Sequence, residues 1–163
     1  MSGPNPDGFQ RALAKFRASL DPKLRSQFSH CSLRELQDAI QDIQHNQAKN
    51  GKQRDIRRIQ AFIEAMDQFG KVIEVFLNAN EMLCFIWGPV KFLLMVTSTY
   101  ITGFDKLLDA YSEIGNALPG LQHYSASFEN YPPLATVLED YYSDILNFHH
   151  IALSVFARPS TRT

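Results

Sequence analysis

At 163 residues, with 45% hydrophobic and 20% charged side chains, the chain is long enough to bury the core of one domain and falls outside disordered compositions. Sixteen Lys and Arg against seventeen Asp and Glu exclude a global field that would draw the whole molecule to nucleic acid or an anionic membrane. Charge is uneven along the chain, however: residues 1–58 hold eleven basic and six acidic side chains, residues 59–163 five and eleven, or +5 against −6.

The N-terminus, MSGPNPDGFQRALAKF, has no apolar signal core and no myristoylation glycine, and the sequence carries no Asn-x-Ser/Thr sequon, so a cytoplasmic location is expected. Cys31 and Cys84 have no zinc-site spacing and are expected as free thiols. Residues 1–8 read as a flexible start, 9–157 as a single helical domain and 158–163 as a polar tail.

In chain order, Asp7 is placed to cap a first helix whose Phe9, Leu13, Phe16 and Leu20 repeat at helical spacing up to Asp21-Pro22. A short amphipathic segment follows. Ser32 and Glu35 have capping-box spacing, and Leu33, Leu36, Ile40 and Ile43 mark the inner face of a helix ending at Asn50-Gly51, its other face Gln-rich and solvated. A third helix is predicted from Arg54 to about Asn78, with Ile56, Ile59, Ile63, Met66, Phe69, Ile73 and Phe76 inward. Gly70 inside it costs about 1 kcal/mol relative to Ala, so packing must favour it or the helix bends there. Asn80 then caps a new apolar run.

From Met82 to Ile101 only Lys91 is charged, and a bilayer span needs roughly 20 such residues. Gly88-Pro89, the central Lys91 and the Thr97-Ser98-Thr99 run oppose that reading. The better parse puts Pro89 at the first position of a long central helix, about 89–118. Leu93, Thr97, Tyr100, Phe104, Leu107, Tyr111, Ile114 and Leu118 form its inner stripe up to Pro119, with Trp87 as a core anchor at its start. LQHYSASFEN adds one or two helical turns. A last helix runs from about Leu134 to Ala157, with Leu138, Tyr141, Ile145, Phe148, Ala152 and Val155 inward. The expected fold is an all-α bundle of about five major helices.

No catalytic, cofactor or metal site is expected. The sequence has neither G-x-x-x-x-G-K-[ST] nor G-x-G-x-x-G, so no nucleotide is expected to bind. It also lacks HExxH and the Glu-x-x-His pairs of di-iron bundles. His149 and His150 are adjacent, point about 100° apart on a helix and cannot chelate one ion together. The one charge cluster is KNGKQRDIRR, where Lys49, Lys52, Arg54, Arg57 and Arg58 are relieved only by Asp55. It reads as a solvated corner or as a patch for an acidic protein face or anionic headgroups. Nucleic acid ranks last because no aromatics interleave it. The acidic half of the same chain is a ready partner.

FIWGPVKFLL, then FDKLLDAYSEIGNALPGLQHYSASF, then LEDYYSDILNFHHIALSVF together resemble the helical N-terminal region of fungal NACHT-type NTPases, the STAND or NLR-like receptors. The resemblance runs from about Phe9 to Phe156. Its most specific residues are Ile86, Trp87, Gly88 and Lys91, then Leu118-Pro119, and Tyr142, Ile145, Phe148 and His149, which read as joints and core positions. It implies a non-catalytic signalling or effector module, in receptors where an NTPase and a repeat array normally follow; the sequence to Thr163 carries the module alone. The expected output is association with a protein partner or with itself. The other expectation is a membrane-active bundle, like the HeLo-type cell-death domains, that releases the first helix or the Met82–Ile101 segment into a bilayer.

Overall fold

The computed structural model describes residues 7–51, 53–74, 79–117 and 132–156. They form seven α-helices and one 3-10 turn, with no strand among the described residues, so the fold is an all-α bundle. Residues 1–6 of the expected flexible start, the polar tail, the predicted helix end with Phe76, the LQHYSASFEN turns, Leu118-Pro119 and Lys52 lie outside the described residues, while Asp7 and Gly8 belong to the first helix.

Helix α1 spans Asp7–Ser19 and buries Phe9, Leu13 and Phe16, with Leu20 just beyond it, along α7 (Pro132–Phe156). Helix α2, Pro22–Phe28, starts with proline at a first-turn position, where the missing N–H costs nothing, and the Asp21 carboxylate accepts from the Leu24 N–H at 2.9 Å. Helix α3, Leu33–Lys49, is capped by Ser32, whose hydroxyl accepts from the Glu35 N–H at 3.2 Å. Gln47, one turn beyond Ile43 on the inner face, is buried. Its amide donates to the Ser98 carbonyl at 3.2 Å and accepts from the Arg54 N–H at 3.3 Å, which is how a polar side chain enters a core without penalty.

The helix predicted from Arg54 instead begins as a 3-10 turn, Ile56–Ile59, because the Asp55 side chain accepts from the Arg57 N–H and tightens the start. Helix α4 follows over Gln60–Ile73 and passes Gly70 without a break, since Leu83 fills the space a Cβ would take.

Helix α5, Ala79–Thr97, packs against α2, α3, α4, α7 and the next helix, α6 (Ile101–Asn116), so it is the central element. Three expectations are corrected here. The continuous helix over 89–118 is two helices, and Pro89 lies inside α5 instead of opening it; Asn80 likewise lies inside α5 and does not cap it. The interruption at 98–100 follows from competing polar groups. The Thr97 hydroxyl donates to the Leu93 carbonyl at 2.7 Å and Ser98 to Met95 at 2.8 Å, drawing the last turn closed, while Tyr100 takes an extended backbone. Tyr100, predicted inward, is 65% exposed. Val155 of α7, also predicted inward, is 66% exposed, and Tyr142, Leu146, His149 and Leu153 fill that side of the core.

Candidate interaction surface

The basic corner is only partly a surface. Arg58, on the 3-10 turn, donates to Asp105 at 2.7 Å and to Asp109 at 2.6 Å, and Arg54 reaches Asp105 at 3.7 Å. Asp105 and Asp109 stand one turn apart on α6, so the two arginines clamp the turn onto that helix. Part of the charge imbalance between the two halves is thus satisfied inside the molecule. Arg57 pairs with Asp55 at 2.9 Å and stays open to solvent, as does Lys49 at the end of α3. Of the five cations proposed from the sequence, Lys49 and Arg57 are the described ones that face outward without holding the fold together.

Apart from Lys91, the residues singled out in α5 and α7 are packing positions. Trp87 and Ile86 are buried. Gly88 exists for close approach: a Cβ there would stand 2.8 Å from the Phe28 Cβ and 2.9 Å from its Cα, so α2 rests directly on the α5 backbone. Pro89 cannot donate to the Phe85 carbonyl four residues back, as a helix interior requires. The His149 imidazole of α7 is set against the Phe85 backbone, although neither ring nitrogen reaches hydrogen-bond geometry. His149 is fully buried among Phe16, Tyr111 and Phe148, and burial pushes its pKa down to about 3, partly offset by Phe85. The Tyr111 hydroxyl is buried and unpaired as well. Tyr142 donates to the Met82 carbonyl at 2.9 Å, tying α7 to the first turn of α5; Ile145 is buried and Phe148 half-buried. These side chains hold helices together and none is aimed at solvent.

Both cysteines are free. Burial raises Cys31 to about 11 and also raises Cys84, so neither is poised as a thiolate at neutral pH. Among the described residues no cluster of His, Cys, Asp and Glu is placed to hold a metal ion.

The open feature that the sequence reading missed is a trough where α2, α3 and α5 meet. One end, about 550 Å³, is lined by Phe28, Cys31, Phe92, Met95 and Val96. The other, about 500 Å³, is lined by Glu35, Asp38, Asp42 and Asn46 on α3. Lys91 and Met95 border both, so the two ends adjoin along α5. Lys91 stands 3.8 Å from Glu35. The signal was present as acidic residues at i, i+3 and i+7 of α3, a spacing that shares one helix face, but it was read as part of a solvated face.

These features define an all-α bundle in which His149, Tyr111 and Tyr142 sit inside the packing and Glu35, Asp38, Asp42 and Lys91 rim a shallow trough. The chain belongs to the family described as a domain of unknown function, DUF7708, whose pattern matches residues 57–163. That stretch runs from Arg57 in the 3-10 turn through α4 to α7, while α1, α2 and α3 precede it. No curated protein matches the chain. No solved structure does either.

Proposed function

We propose that the chain is a non-catalytic signalling or effector module of a fungal NACHT-type, NLR-like receptor, working in the cytoplasm by protein–protein association. The resemblance in the WGP segment and in α7 suggests the receptor context. The observation that carries the association reading is how the ionisable residues are spent. His149, Tyr111 and Tyr142 are core groups, Arg54 and Arg58 are clamps, and the open relief is a trough of mixed apolar and acidic lining. That is the relief of a surface for another protein.

One observation favours a membrane-active bundle instead. Among the described residues α5 is long and apolar enough, over Asn80–Thr97, to cross a bilayer, but 56% of that window is buried as the central helix. Reaching a membrane would require extracting the element against which five others pack, and the basic corner that would guide it has two of its arginines committed to α6. The deciding experiment compares leakage of anionic liposomes with association in solution. Intact liposomes together with concentration-dependent or partner-dependent association support the module, and leakage at low protein concentration overturns it. Charge reversal belongs at Lys49 and Arg57, because Glu at Arg54 or Arg58 would face Asp105 and unfold the corner.

A further inference from the structure

We infer that the trough between α2, α3 and α5 is a docking groove for a basic amphipathic helix of a partner protein. The inference rests on the association reading above and names its surface. The floor is mainly apolar, Phe92, Met95 and Val96 of α5 beside Phe28 of α2, and its one cation, Lys91, is turned to Glu35 at 3.8 Å. Met95, which lines both ends, is 53% exposed. Thioether side chains in open grooves suit helix faces of varied shape, because the chain is flexible and polarizable.

The wall on one side is Glu35, Asp38 and Asp42, which rise along α3 over about 10 Å at 1.5 Å per residue. All three are exposed; Glu35 already pairs with Lys91, and among the described residues Asp38 and Asp42 have no ion-pair partner and are the carboxylates open to a docked cation. Cations on a docked helix at the same three- and four-residue steps would meet this row in register, while apolar residues at i and i+4 would reach Met95 and Phe92. The acidic wall also decides the class of occupant, since it repels anionic headgroups and nucleic acid phosphates.

A second copy of this chain does not offer the complement. Arg11 and Lys15 are exposed on α1, but Phe9, Leu13 and Phe16 of that helix are consumed in the core, and its exposed apolar residues are only Ala14 and Ala18. Helix α7 does expose Val137, Ile151 and Val155, but beside the exposed Asp140 and Asp144. None of the described helices combines an exposed apolar stripe with a basic flank.

The test uses the whole chain and a fluorescein-labelled synthetic amphipathic helix with leucines on one face and lysines and arginines on its flank. A twin carries glutamate in place of every cation. Fluorescence anisotropy should show saturable binding of the basic peptide that weakens with added salt. The acidic twin, and the Asp38→Lys/Asp42→Lys protein, should bind roughly tenfold more weakly or worse, and Met95→Glu should abolish binding. These side chains are exposed and outside the core, so circular-dichroism melts of the variants should match the parent. Absent binding, or binding indifferent to the substitutions, overturns the inference. Dimerisation of the chain alone that Met95→Glu abolishes also overturns it, by giving the groove to a second copy. Association that survives every one of these substitutions removes the groove and leaves the association reading standing, whereas liposome leakage removes that reading itself.

Discussion

His149 shows what a single side chain does to the energetics of this bundle. Its imidazole lies among aromatic rings with no hydrogen-bonded partner at either nitrogen, beside a Tyr111 hydroxyl in the same condition. Each such group costs about 1–3 kcal/mol relative to a satisfied one. The fold therefore holds His149 neutral, with a pKa pushed down to about 3 against an ordinary value near 6.5. The unfolded chain takes up a proton below about pH 6.5 and the folded chain does not. Stability consequently falls as the pH drops from 6.5 toward 3, by up to about 1.4 kcal/mol per pH unit from this residue. Urea midpoints of the parent at pH 7.5 and pH 5 should differ more than those of His149→Leu. Equal shifts in the two proteins would show that the imidazole is not the group responsible.

At the scale of elements, contacts between backbones matter as much as stripes of apolar side chains. Gly88→Ala would press a methyl group against the Cα and Cβ of Phe28, and overpacking of this kind costs about 1–3 kcal/mol. Thermal melting should register that loss, and limited proteolysis should cut near α2 sooner than in the parent. An unchanged melt with an unchanged proteolysis pattern would mean that α2 does not rest on α5 as described. Periodicity made most facing residues legible, from Phe9, Leu13 and Phe16 in α1 to Leu138 and Ile145 in α7, because burial imposes the repeat directly. It concealed the joint at 98–100, since Thr97 and Phe104 both point to the core and the stripe resumes across the interruption. Pro89 was misplaced for a different reason: a proline is tolerated inside a helix when tertiary packing surrounds the carbonyl it orphans, and His149 is sixty residues away in sequence. The basic corner was legible as charge, but not as a clamp, because Asp105 and Asp109 lie on another helix. The acidic row of the trough, Glu35, Asp38 and Asp42, was legible as one helix face, but the trough itself was not, being formed by three elements together.

For the whole molecule, the phosphate-binding loop that a nucleotide would need is missing from the sequence, and the described helices converge through apolar contacts. Calorimetric titration with ATP or GTP, with or without magnesium, should be flat. Saturable heat would contradict the expectation that residues 1–163 hold no nucleotide site.

The family match begins at Arg57, yet α1 lies along α7, and both α2 and α3 lie on α5. Those three helices therefore shield surfaces that belong to the matched stretch, among them the side of α7 that meets Phe9 and Phe16. For anyone cutting this chain for expression, the recognisable boundary and the foldable boundary are different places. A fragment starting at residue 57 should be recovered as soluble aggregate or from inclusion bodies, while one starting at residue 7 should elute as a sharp species in size-exclusion chromatography.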